Sequence, residues 1–152
     1  MGTFTRDNTE LAVDVDGAGQ QHRAEAGGMT IALERWTAGL DTADWFAGLP
    51  GGACQEPHWG FCLKGAVTMR YTDGQTEVLT AGQAYYIRPG HNAHIDEDAE
   101  FVEFTRADQT PGINTVAPKS PETVTTSVLA GPADSRDRAR QTVPLQPVRT
   151  IL

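Results

Sequence analysis

Cysteine and lysine are scarce in this sequence, and no apolar run approaches the length of a membrane helix. The two cysteines are Cys54 and Cys62. If both lie on one extended strand, a rise of about 3.3 Å per residue separates them by roughly 26 Å. A disulfide tolerates Cα separations only up to about 7 Å. Two free thiols are therefore expected, and with them a reducing compartment, the cytoplasm. Only Lys64 and Lys119 stand beside ten arginines, a bias of codon usage rather than of chemistry. The net charge is −8, and no basic stripe of the kind that binds nucleic acid occurs. A spanning helix needs roughly 18 consecutive apolar residues, and none are found. The segment Met1–Gln20 lacks the basic start and apolar centre of a secretion signal. Neither nucleic acid nor membrane is an expected partner.

There is no internal repeat and no heptad pattern. Between residues 11 and 107 nothing is long enough for the helix of a βαβ crossover. What is there reads as β. Leu11–Asp16 alternates and stops at Gly17. Met29–Trp36 alternates strictly, with Met29, Ile31, Leu33 and Arg35 on one face and Thr30, Ala32, Glu34 and Trp36 on the other, the pattern of a half-buried strand. Asp41–Leu49 allows one short helical turn, ended by Pro50-Gly51-Gly52. His58–Tyr71 is a long strand whose large apolar residues, Trp59, Phe61, Leu63, Val67, Met69 and Tyr71, are all odd-numbered. Asp73-Gly74 supplies hairpin chemistry, Glu77–Thr80 returns, Ala81-Gly82 turns again, and Ala84–Ile87 runs to Pro89-Gly90. Phe101–Phe104 is the last clear strand. Short strands with Gly-rich turns at this spacing predict a sandwich or closed barrel.

After Asp108 the texture changes to a Pro-rich segment without a clear period. Val124–Leu129 can be a strand and Asp134–Gln141 a short charged helix. Val143, Leu145, Val148, Ile151 and Leu152 suit a tail that packs on the barrel or on a partner subunit. The division expected is a barrel domain over 11–107 and an extension over 108–152.

Two blocks, Cys54–Gly65 and Gly82–His91, resemble the two sequence motifs of the cupins. The first motif of that superfamily ends in a Leu-x-Gly turn, here Leu63-Lys64-Gly65. The second runs from a Gly through an apolar strand to Pro-Gly with a His beyond, here Gly82 to Pro89-Gly90-His91. Pro57-His58-Trp59-Gly60 together with Pro89-Gly90-His91 is similar to a subgroup of small cupins. The resemblance implies an all-β, antiparallel, jelly-roll-like barrel with a metal-binding pocket at its mouth, and pairing of two copies through edge strands, since open edges are a liability. The set of three His and one Glu usual in the superfamily is not reproduced. Its first two His positions fall on Gly52 and Cys54, its Glu position on His58, and its last His position on Ala93.

Residues two apart on a strand share a face. A regular strand therefore aims Cys54, Glu56 and His58 the same way, and His91 projects where Ala93 would. These four are the candidate metal ligands. A thiolate, a carboxylate and two imidazoles suit a divalent ion: zinc first if Cys54 contributes its sulfur, with iron, manganese, nickel and copper as alternatives. Glu56 is equally a candidate general base. Tyr85 is the candidate substrate-orienting residue, because of the adjacent pair Tyr85 and Tyr86 only one can face inward. Trp59 is assigned to sheet packing or a subunit interface, Cys62 to the core, His94 and the acidic run Asp96-Glu97-Asp98 to a solvated loop, and His22 to the surface.

Three functions are compatible with these residues. One is a metal-dependent enzyme acting on a small organic molecule, of cyclase, isomerase, lyase or dioxygenase type. Another is a non-catalytic cupin that binds a metal or small-molecule ligand. The third is a chain whose motif is vestigial and that works through subunit contacts. A bound ion that keeps an open coordination position separates the first from the second.

Overall fold

The computed structural model describes residues 2–108. Seven strands form one antiparallel sheet: β1 (Glu10–Val15), β2 (Gly19–Ala26), β3 (Met29–Trp36), β4 (His58–Tyr71), β5 (Thr76–Thr80), β6 (Ala84–Ile87) and β7 (His91–Arg106). A single helical turn, α1 (Ala43–Phe46), and a 3-10 turn at Pro50–Gly52 lie between β3 and β4. The spatial order is β1-β2-β3-β7-β4-β5, with β6 following β5 along the same edge of β4. The expected all-β antiparallel fold is present. The barrel is not closed by hydrogen bonds among the described residues: β1 is one edge, and β5 with β6 the other. No helix among the described residues is long and apolar enough to cross a membrane. The strand expected at Val124–Leu129, the helix at Asp134–Gln141 and the apolar residues from Val143 to Leu152 lie outside the described residues.

The two long strands carry the architecture. β7 pairs with β3 through its second half and with β4 along most of its length. Its inward side chains, His91, Ile95, Ala99 and Phe101, are buried. The core is completed by Val67, Met69, Tyr71, Leu79 and Ile87, packed against Trp36 from β3. Full burial of a side chain such as Ile95 contributes roughly 1.5–3 kcal/mol.

β4 does not keep one face inward. Its pairing with β7 slips between Cys62 and Val67. Before the slip Cys62 is buried, while Trp59, Phe61 and Leu63 are exposed; after it Val67, Met69 and Tyr71 are buried. The odd-numbered apolar series is therefore split between two faces, which corrects its reading as one. Gly65 makes the switch: its φ is +80°, and a Cβ there would run into the carbonyl of Asp98. Such bulges bend a strand and re-aim its side chains.

Two further expectations are corrected. The polar segment around Gln21 and His22 is strand β2, with Gln21 buried and His22 half-buried rather than on the surface. His94 and Asp96-Glu97-Asp98 lie within β7, not in a loop, although the three acidic side chains are exposed as expected. Both strands escape an apolar pattern because one of their faces is polar.

Gly65 should tolerate no side chain. Gly65→Ala is expected to lower stability by about 2–4 kcal/mol, since it adds positive-φ strain to a backbone collision. Denaturant melts of the two proteins check this, and a loss below about 0.5 kcal/mol, the level of an ordinary surface substitution, would show that the bulge relaxes freely.

Candidate metal centre

The loop ahead of β4 is pinned to the start of β7. The Cys54 amide donates to the His91 carbonyl (2.8 Å), and the Gly90 amide donates to the Cys54 carbonyl (2.7 Å). This bridge sets Cys54 opposite His91. His58 follows as the first residue of β4, and Cys54 Sγ lies 3.6 Å from His58 Nε2. Residues four apart on one extended strand would be about 13 Å apart. The chain turns between them, so shared strand parity is not what brings them together. The His58 and His91 rings meet edge to face, with centroids 5.1 Å apart. One ligand atom from each of Cys54, His58 and His91 falls within a 4.8 Å group.

Both imidazoles are held by Nδ1. His91 Nδ1 lies 2.8 Å from the Arg88 carbonyl, so it donates and leaves the Nε2 lone pair free. His58 Nδ1 lies 2.8 Å from Thr105 Oγ1 and 3.0 Å from Glu103 Oε1. Such outer contacts fix ring tautomers in metal sites. A tetrahedral ion with bonds of about 2.3 Å to sulfur and about 2.0 Å to nitrogen holds those two atoms roughly 3.5 Å apart. The sulfur–nitrogen distance here is 3.6 Å. The donor set fits a divalent ion.

Electrostatics agrees with that fit. Burial drives both imidazoles down to about 4, so each is neutral with its lone pair available. With a neutral ring, the approach of His58 Nδ1 to Glu103 Oε1 is not an ion pair. Burial pushes the Cys54 thiol up to about 12, so the thiolate needs a cation beside it.

The remaining candidates fall nearby. Glu56 lines the same cavity, but its carboxylate is not in the converging group, and Oε1 is buried without a hydrogen-bond partner. Tyr85 faces the cavity, and its hydroxyl donates to Glu103 Oε2 (3.1 Å). Tyr86 is 52% exposed and stacks on Trp59 outside. His94 points away, beside Asp41 and Asp96. Cys62 is fully buried, as assigned. Both cysteines are free.

Sequence reasoning missed the acidic wall. Glu103 touches His58 and Tyr85, and burial raises it to about 7. Glu34 accepts hydrogen bonds from Gln21 (2.7 Å) and Trp36 (2.6 Å) and is likewise raised to about 7, by burial first and then by Glu103. Glu103, Arg23 and Thr105 line the cavity; Glu34 is buried but is not among its lining residues. One signal was available: Glu103 and Thr105 share parity with His91, and Glu34 with Trp36. The cavity, of about 320 Å³, also has an apolar lining that includes Leu40, Trp45, Phe46, Met69 and Ile95.

The raised carboxyl of Glu34 has a consequence for stability. Unfolded, it titrates near 4.5; folded, near 7. Below the lower value both states hold the proton and folding loses nothing. As pH rises from about 4.5 to about 7 the unfolded chain gives up its proton first, and stability falls. Glu103 acts in the same direction over this window, and the buried imidazoles of His58 and His91, lowered to about 4, act in the opposite one, so the effect of Glu34 is read as a difference between two proteins. The melting temperature of Glu34→Gln is expected to rise relative to the wild type between about pH 4.5 and 7 and to hold a constant offset at higher pH, and an offset that does not change with pH would count against a buried, raised Glu34.

No protein-family model and no curated protein matches this sequence. Solved structures do. The chain is similar to the polyketide cyclase RemF from Streptomyces resistomycificus, at 17% identity and a TM-score of 0.55, over 74% of this chain and 83% of that one. It is similar to ectoine synthase from P. lautus, at 14% identity and a TM-score of 0.53, over 72% and 80%. An RmlC-like cupin from Shewanella frigidimarina matches at 14% identity and a TM-score of 0.50, over 70% and 90%. Likeness at this identity concerns the fold: the chain has the fold of the cupin superfamily.

Proposed function

We propose that the cavity is the active site of an enzyme that acts on a small organic molecule with a divalent ion held by Cys54, His58 and His91. One observation carries the reading: three ligand atoms converge within 4.8 Å at the wall of a cavity large enough for a small molecule. Three protein ligands leave a tetrahedral ion one open position, the arrangement of catalytic rather than structural sites. That favours an enzyme over a storage or sensing module. A sulfur and two nitrogens put zinc first among the candidate ions. Such an ion, when bound, supplies Lewis acidity toward a carbonyl or hydroxyl oxygen.

The chain's own residues handle the proton. Glu103 lies between Tyr85 and His58 and is near half-protonated at neutral pH, which suits a group that takes and returns a proton. Tyr85 fixes one of its oxygens. Glu56 is a second carboxyl in the same space. A cyclase, an isomerase, a lyase and a dioxygenase all remain compatible with this set, because the fold hosts unrelated chemistries. The two free thiols favour a reducing compartment, the cytoplasm.

We also propose a homodimer, through the outer sheet face rather than the edge strands. Trp59, Phe61, Tyr86 and Phe104 are exposed together on β4, β6 and β7. Contiguous exposed apolar surface marks an interaction site.

Two measurements test these readings. Elemental analysis of untagged protein, purified without added metal, should find about one divalent ion per chain. His58→Ala and His91→Ala should each retain less than about a tenth of that, as losing even a hydrogen-bond partner of a metal ligand already costs about tenfold or more. His94→Ala should retain all of it. No ion above background in folded wild-type protein, or full occupancy in His58→Ala, overturns the metal reading. For the dimer, sedimentation should give twice the chain mass for the wild type and a folded monomer for Trp59→Asp; a monomeric wild type at micromolar concentration excludes it.

A further inference from the structure

One row of positions crosses the inner sheet face from β2 to the β6 edge: Arg23 on β2, Ala32 on β3, Glu103 on β7, Gly60 on β4 and Tyr85 on β6, each paired in register with the next. Strands lie about 4.8 Å apart, so the backbones of Arg23 and Glu103 stand roughly 10 Å apart, with only a methyl group between. The small residues make room for the long ones. A Cβ on Gly60 would strike the Tyr85 hydroxyl.

Glu103 and Tyr85 spend their polar atoms on each other and on His58. Arg23 does not. Its Nε donates to Gln21 Oε1 (2.6 Å), and its terminal amino groups have no hydrogen-bond partner among the described residues. Its charge nevertheless acts on Glu34, Glu56, Glu103 and His58 together, which places the guanidinium over the polar wall. Arg106, the other arginine lining the cavity, is paired with Asp108. Glu56 offers the complement: its Oε1 is buried and accepts nothing. The cavity therefore has two open valences of opposite kind, a cationic donor fork and a buried acceptor, together with an apolar lining.

We propose that the cavity takes an amphipathic organic acid that carries a hydroxyl or amine, with its carboxylate on Arg23, its hydrogen-bond donor on Glu56 and its hydrocarbon or aromatic body against Leu40, Trp45, Phe46 and Met69. This deepens, and rests on, the reading of the cavity as a substrate site. A guanidinium fork matches a planar carboxylate through two parallel hydrogen bonds. A phosphate would bring further negative charge beside Glu56 and Glu103, with no second unpaired arginine lining the cavity among the described residues. A ligand donor on Glu56 satisfies an oxygen that is otherwise desolvated without compensation.

The test is calorimetric titration of the full chain, both zinc-loaded and metal-free, with phenyllactate, phenylpropanoate and phenylpropanamide. Phenylpropanoate should bind about ten- to a hundredfold more tightly than its uncharged amide. Phenyllactate, which adds the hydroxyl, should bind more tightly still. Arg23→Gln should erase the preference for acid over amide, and Glu56→Ala the advantage of phenyllactate, with far-ultraviolet spectra unchanged. If Arg23→Gln does not fold, Arg23→Lys serves: it keeps the charge, loses the fork, and should reduce the preference measurably. Equal binding of acid and amide by the wild type, a preference that survives in Arg23→Gln, or no binding of either acid at millimolar concentration overturns the proposal. An acid preference that depends on Arg23 in protein unable to hold zinc supports it while overturning the metal reading.

Discussion

The backbone bridge between Cys54 and His91 is the contact on which the site depends. Neither residue is placed by its side chain alone. The loop that carries Cys54 is drawn onto the first residue of β7 by main-chain hydrogen bonds, and the Thr72 amide ties Gly90 into the same corner from the β4–β5 turn (2.9 Å). Gly90 has a φ of +84°, and a Cβ there would meet Thr72 Oγ1 at 2.9 Å, so the corner closes only around a glycine. Once it closes, a thiol and an imidazole from distant parts of the chain face each other. His58 then enters as the first residue of β4, and Thr105 and Glu103, both on β7, turn its ring. Main-chain bonds thus set the positions, and side-chain bonds set the orientations.

That geometry is built on a sheet whose inner face is partly polar and whose outer face is partly apolar. Glu34, Gln21, Arg23, Glu103 and Tyr85 look inward, while Trp59, Phe61, Phe104 and Tyr86 look out. Ordinary folding energetics favours the reverse. The inward carboxyls are tolerated because each has a hydrogen-bond donor: Gln21 and Trp36 for Glu34, Tyr85 for Glu103. Burial still outweighs those donors, which is why both carboxyls are raised. A wall that costs stability in this way is more readily explained by what it binds than by what it packs.

The same inversion decides how much of the molecule could be read from its residues. Where one face meets the core and the other meets solvent, alternation located the strand: Met29–Trp36 and Ala84–Ile87 have the bounds expected. The Asp-Gly hairpin and the Pro-Gly stop are legible because turn chemistry is local. β2 was illegible because its inward residues are Gln21 and Arg23, so no apolar period exists to find. The first half of β7 was hidden by three outward acids that read as a loop. Phe101–Phe104 was found as a strand, but the eye goes to Val102 and Phe104, which face out, and passes over Glu103, which faces in. At the site, His58, His91 and Cys54 were chosen by residue type within a motif. Their actual meeting depends on a chain turn and a bridge that strand parity does not encode.

The slip at Gly65 reconciles the two halves of the sheet. Had β4 kept one parity throughout, inward His58 and Cys62 would require Val67, Met69 and Tyr71 to face solvent, and the core opposite Ile95 would be empty. Inward odd residues along the whole strand would instead send His58 outward and push Trp59 into the space beside Glu103. Neither arrangement gives both a packed core and a polar wall. A residue at positive φ between them lets one strand serve a site at its start and a core at its end. The outward aromatics Trp59 and Phe61 then follow directly: they are the residues left over when the first half of β4 gives its inner face to His58 and Gly60.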